Sequence, residues 1–173
     1  MKKYKHSNSF KLLFVLLSFL LGTPVQGQTQ ENTIIYLVRH AEKVDNSNDA
    51  ALSLAGRKRA TLLSKVLSDT KIEHIHSTNF QRTRDTVEPL ASLLDIDVQL
   101  YNPEYLESFS DKILETPGVH LVSGHSNTTP ELVRLLGGQS SPIDDDEYDR
   151  LYIIIRSQDQ RGTTILIRYG TLL

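Results

Sequence analysis

Four side chains stand out as able to do chemistry together: Arg39, His40, Arg82 and His125. A guanidinium is a rigid fork of donors that matches phosphate oxygens. A neutral imidazole is a nucleophile near neutral pH, and when one ring nitrogen donates to a carbonyl the other keeps its lone pair. Phosphoryl transfer asks mainly for positioning and for positive charge around the equatorial oxygens. Each well-placed donor is worth about 3 kcal/mol in the transition state. Cationic side chains can supply that charge without a metal. Asn127, two residues beyond His125, is a further candidate donor to the same anion.

These residues must be brought together by the elements around them. Six short apolar, β-branched runs read as strands: Thr33–Val38, His74–His76, Val98–Tyr101, Val119–Ser123, Leu151–Ile155 and Thr164–Arg168. Leu52, Ala55, Arg59, Leu62, Leu63, Val66 and Leu67 recur at helical spacing. So do Thr86, Val87, Leu90, Leu93 and Leu94, although Pro89 should kink or restart that helix. Thr129-Pro130 opens a third helix that Gly137-Gly138 stops. The stretch after Val98–Tyr101 reads as a loop. Alternation of this kind predicts an α/β fold, a three-layer sandwich around a mostly parallel central sheet. A hairpin-length turn at Ser157–Gly162 predicts one antiparallel strand. Ligands of open α/β sheets lie beyond the carboxyl ends of the strands. Arg39-His40 follows the first run, Arg82 the second and His125 the fourth, so three strands deliver the four side chains to one edge.

Other features carry less chemistry. His74 and His76 alternate along one strand and share a face; with no third ligand evident they read as packed or surface histidines, and His120 as another strand histidine. Arg57, Lys58 and Arg59 read as a solvated helix face, and Asp144–Glu147 as a solvated loop. The sequence around His125 lacks the closing Gly of a nucleophile elbow. No phosphate-binding Gly-rich loop is present, which argues against nucleotide cofactors. The absence of Cys excludes disulfides, thiolate metal sites and a Cys nucleophile.

Residues 1–27 differ from the rest. Lys2, Lys3, Lys5 and Lys11 precede or open the apolar run Leu12–Leu21, Pro24 breaks it, and Val25-Gln26-Gly27 suits cleavage before Gln28. This is the pattern of a secretory signal peptide. It predicts a periplasmic or extracellular protein of residues 28–173 with no stable membrane insertion, since the apolar run is shorter than the roughly 20 residues a span requires. The four lysines leave with the leader, taking the formal charge from −2 to −6. A net acidic chain without a basic stripe is not built to bind nucleic acid.

The residues around the four candidates fall into blocks. They are Arg39-His40-Ala41-Glu42-Lys43, then Leu52-Ser53-Leu54-Ala55-Gly56-Arg57-Lys58-Arg59-Ala60, then Ser77 through Arg82 to Thr86, and last Val122-Ser123-Gly124-His125-Ser126-Asn127. In content and order they resemble the signature of the histidine phosphatase superfamily, the phosphoglycerate mutase-like phosphatases. The resemblance spans nearly all of the chain after the leader. It implies that His40 is the phosphorylated nucleophile, that Arg39 and Arg82 bind the phosphoryl oxygens, and that His125 is the second histidine of the pocket. It also implies an acid after the third strand. Glu104, Glu107 and Asp111 lie there, and Glu104 is the candidate. Tyr101-Asn102-Pro103 is similar instead to the small phosphohistidine-phosphatase branch, in which that acid is absent.

The expected activity is therefore metal-independent hydrolysis of a phosphomonoester or phosphoramidate through phospho-His40, with no cofactor. The partner would be a small phosphorylated substrate, such as an envelope sugar phosphate, or a phosphohistidine protein. Two other readings remain: a pocket that binds a phosphate ligand without turnover, and a phosphomutase.

Overall fold

The computed structural model describes residues 1, 32–156 and 162–170. The expected leader and its cut site, and most of the expected Ser157–Gly162 turn, lie outside the described residues.

Strands β1 (Thr33–Arg39), β2 (His74–Thr78), β3 (Val98–Tyr101), β4 (Val119–Gly124), β5 (Arg150–Arg156) and β6 (Thr163–Arg168) form one sheet in the order β3-β2-β4-β1-β5-β6. β3, β2, β4 and β1 run parallel, and β5 lies antiparallel to both its neighbours. The single antiparallel strand is the one the sequence predicts. Helices α1 (Leu54–Leu67), α2 (Gln81–Leu94), α3 (Leu106–Glu115) and α4 (Thr128–Leu135) are the other elements among the described residues.

Alternation along the strands divides the core in two, because successive side chains face opposite sides of a sheet. Val38, Ile75, Leu121 and Leu151 pack with Leu63 and Leu67 of α1 and Val87 and Leu90 of α2. Ile35, Leu37, Val122 and Ile154 pack on the other face with Phe109 and Ile113 of α3 and Leu132 and Val133 of α4. The molecule is thus a three-layer α/β sandwich, and each fully buried Leu or Ile contributes about 2 kcal/mol to holding the layers together.

Three local expectations are corrected. The stretch after β3 is not a loop but contains α3, whose buried face is Leu106, Phe109, Ser110 and Ile113; these positions sit three and four apart and were readable as a helix. α2 starts at Gln81 and continues through Pro89 to Leu94, so burial of Thr83, Thr86, Val87 and Leu90 outweighs the one backbone bond that proline removes. α4 starts at Thr128, one residue before the expected cap, with Asn127 at the N-cap position.

His74, His76 and His120 make one stack across β2 and β4. Ring centroids lie 4.7 Å apart for His74–His120 and 5.4 Å for His76–His120. His76 Nε2 and His120 Nδ1 share a hydrogen bond of 3.1 Å, and His120 Nε2 donates to Thr116 O at 2.9 Å. The His76 ring also meets Phe109 edge-on. Burial, with the charges of His120, His74 and Lys112, pushes His76 down to about 3, and burial lowers His120 as well. The unfolded chain takes up these protons below about pH 6.5 while the folded chain does not. Folding stability is accordingly full above pH 6.5 and is lost as the pH falls toward the folded values. We expect the urea midpoint to drop between pH 7 and pH 5, with His76 alone costing about 2 kcal/mol at pH 5; a midpoint that holds constant over that range would contradict neutral, buried imidazoles.

Candidate active site

The carboxyl edge of the parallel strands carries a cavity of about 450 Å³ lined by Arg39, His40, Arg82, His125, Glu104 and Asn127, among others. Every residue expected at the site therefore reaches one cavity. His40 and His125 lie with ring centroids 5.6 Å apart.

Parallel pairing sets this convergence. Arg39 of β1 is level with Gly124 of β4, and the His40 N–H donates to Gly124 O at 2.9 Å. A Cβ on Gly124 would come 2.9 Å from Thr129 Oγ1 and 3.0 Å from the Tyr101 hydroxyl, so only glycine lets β4 end here. The next N–H, of His125, donates to Thr128 Oγ1 and starts the turn into α4.

The blocks around the four residues act as supports. Thr86 lies one turn after Arg82 on α2 and accepts from the Ala41 N–H at 2.9 Å, so the helix that carries Arg82 also holds the chain beside His40. Ser53 caps α1 by accepting from the Gly56 N–H, and its own N–H donates to Glu42 O. Gly56 is needed where α1 meets that chain: its Cβ would lie 2.2 Å from Glu42 O. Arg59 is not part of a solvated face. It forks onto both oxygens of Glu42 at 3.0 Å and donates to Tyr169 O, while Arg57 and Lys58 are exposed. Burial raises and the Arg59 hydrogen bonds lower the Glu42 pKa, and the lowering prevails.

His40 is almost fully buried, at 4% exposure. Its Nδ1 lies 2.8 Å from Ala41 O. A carbonyl only accepts, so Nδ1 carries the proton and Nε2 keeps its lone pair. Burial first, then the charges of Arg39, Arg82 and His125, push the His40 pKa down to about 3. The ring is therefore neutral at pH 7 with one free nitrogen, the state a nucleophile requires.

His125 is oriented differently. Its Nε2 lies 3.0 Å from Thr78 Oγ1, and Arg82 Nη2 points to its Nδ1 at 3.5 Å. An arginine only donates, which makes Nδ1 the acceptor and Nε2 the donor to Thr78. Thr78 Oγ1 in turn meets Thr83 Oγ1 at 2.9 Å. Phe80 packs edge-on against the His125 ring at 5.1 Å and under the Arg82 guanidinium at 4.4 Å. Burial, then Arg82 and Arg39, lower His125 to about 4.

The two arginines share one feature. The Nε of each is buried and has no acceptor among the described residues. Buried donors without partners are costly, and an oxyanion in the cavity would supply the acceptors. Glu104 stands exposed on the rim; its N–H donates to Asn102 Oδ1, and no bond of its carboxylate is found among the described residues. Asn127 is exposed and also lines the cavity.

Sequence reasoning missed Lys43, Phe80 and Asp145 as cavity residues and Thr78 as the partner of His125. It also misread the Asp144–Glu147 run. Asp144, Asp145 and Asp146 are exposed, but the loop is not simply solvated: its carbonyls accept from Arg39, and Glu147 pairs with Arg150 and Arg168. A single acidic run gives no sign of where its carbonyls point.

Two imidazoles and two guanidiniums thus line one cavity at the carboxyl edge of the parallel strands. Residues 35–103 match the model of the histidine phosphatase superfamily (branch 1). No curated protein matches the chain in sequence. Among solved structures, the protein histidine phosphatase SixA in complex with tungstate superposes with a TM-score of 0.61 at 18% identity, covering 78% of this chain and 96% of its own. The protein assigned as phosphohistidine phosphatase SixA in Agrobacterium tumefaciens gives 0.62 at 23%, covering 80% and 99%. A mycobacterial glucosyl-3-phosphoglycerate phosphatase gives 0.61 at 12%, covering 82% and 100%. Residues 35–103 thus carry the signature of the histidine phosphatase superfamily, and the chain shares the fold of these phosphatases.

Proposed function

We propose that the protein is a metal-independent phosphatase that hydrolyses a small phosphomonoester or phosphoramidate through a phosphohistidine on His40. One observation carries this reading: the only nitrogen of His40 left free for attack faces no proton of its own and sits among two guanidiniums and a second imidazole. Arg39 and Arg82 would hold the phosphoryl oxygens, and His125, with Asn127 at the rim, would complete the seat. Nε2 of His40 forms a bond to phosphorus as the bond from phosphorus to the leaving oxygen or nitrogen breaks. Glu104 is the candidate to give the leaving oxygen its proton. A phosphoramidate nitrogen needs less from such an acid. Water then attacks phospho-His40 in line, orthophosphate leaves, and the neutral ring returns. The leader expected at residues 1–27 would carry this activity outside the cytoplasm, where an envelope sugar phosphate or a phosphohistidine protein is the candidate substrate.

Hydrolysis of an aryl phosphate in excess chelator tests the reading. Turnover that persists in chelator is expected. Tight orthophosphate binding with no turnover of any activated substrate would favour a ligand-binding pocket instead, and product isomerisation with little hydrolysis would favour a mutase.

A further inference from the structure

The Arg39 guanidinium is gripped from one end. Its Nη1 lies 2.7 Å from Asp144 O, 3.0 Å from Asp145 O and 3.2 Å from Glu147 O. That nitrogen has two hydrogens, so three carbonyls saturate it. What remains for an anion is the edge formed by Nε and Nη2. Nε is buried without an acceptor, and no bond of Nη2 is found among the described residues. This is one of the two-donor edges that match two oxygens of a phosphoryl group.

The loop that grips Nη1 also supplies an aromatic platform. The Arg39 Cζ stands 4.3 Å from the centre of the Tyr148 ring, and the same ring lies 6.0 Å from that of His40. Stacking on a ring fixes the plane of a guanidinium as well as its place. The loop is anchored in turn. The Glu147 carboxylate pairs with Arg150 at 2.5 Å and with Arg168 at 2.6 Å, which ties residues 144–149 to β5 and β6. The Tyr148 hydroxyl makes no hydrogen bond among the described residues, so its ring is the part in use.

We propose that Tyr148 is a positioning residue for Arg39: its ring, carried on the 144–149 loop, holds the guanidinium with the Nε–Nη2 edge turned to the phosphoryl seat. The proposal rests on reading the cavity as that seat. The orientation of Arg39 is then set by a loop more than a hundred residues away, and not by β1 alone.

Tyr148→Phe keeps the ring and is expected to stay within about twofold of the wild type. Tyr148→Leu removes it. The KM for an aryl phosphate and the Ki for orthophosphate are then expected to rise together by about tenfold, the weight of one partly desolvated cation–π contact. In an Arg39→Leu background the same change is expected to add nothing, because the group it positions is gone. A merely structural role predicts a different pattern: fewer folded molecules, a lower kcat, and unchanged KM and Ki. That pattern, or full additivity with Arg39→Leu, would overturn the proposal. A wild-type protein that neither hydrolyses aryl phosphate nor binds orthophosphate would overturn the reading beneath it instead.

Discussion

His40→Ala is expected to lower the turnover of an aryl phosphate by at least about 10,000-fold, the scale seen when a covalent nucleophile is deleted. Neither the other imidazole nor the amine that lines the cavity can take its place. His125 uses Nε2 on Thr78 and turns Nδ1 to Arg82, so neither of its nitrogens is free in the way that His40 Nε2 is. Lys43 lines the cavity, but a lysine ammonium carries three donors and no lone pair. Binding should survive the change. Arg39, Arg82 and their buried Nε donors remain, so orthophosphate measured by calorimetry is expected to bind within about tenfold of the wild-type affinity. Loss of turnover with retained binding is the signature of a group that acts on the bound anion. Undiminished turnover in His40→Ala would remove the covalent step from the mechanism.

The second large effect is at Arg82. Arg82→Ala is expected to cost about 100- to 1,000-fold in kcat/KM, the weight of one transition-state donor. Lysine should recover little, because the flat guanidinium stacks on Phe80 at 4.4 Å while its Nη2 reaches His125. The substitution carries an independent readout. Burial is the first cause of the low His125 pKa of about 4, and Arg82 is the second. Removing the cation is expected to move the His125 titration up toward the ordinary range, which an NMR titration would follow. It should not destabilise the fold, because it relieves repulsion among charges held close together. Unchanged kcat/KM together with an unchanged His125 titration would show that Arg82 does not face the site.

The layer order and the meeting of Arg39, His40, Arg82 and His125 were legible in the sequence for one reason. Parallel strands present their carboxyl ends on the same edge, so a residue that follows a strand is a residue at that edge. The blocks were legible as well, though not the work they do. Thr86 is in its block because its hydroxyl takes the Ala41 N–H. Gly56 is in its block because a Cβ would meet Glu42 O. Neither reason can be read before the layers are stacked. α3 was missed although Leu106, Phe109 and Ile113 carry its period; Asn102-Pro103 and the scattered acids drew the reading toward a loop. Tyr148 was invisible for a different reason. Its value lies in stacking on an arginine from the other end of the chain, and the acidic run before it looked like a solvated turn.

The most direct test of the account is to quench the protein during turnover of a phosphorylated substrate and map the label under alkaline conditions. One phosphoryl group on Nε2 of His40, stable in alkali, lost in acid and absent from His40→Ala, is the predicted result. A label on any other residue, or turnover that proceeds with no label on His40 at any quench time, would contradict it.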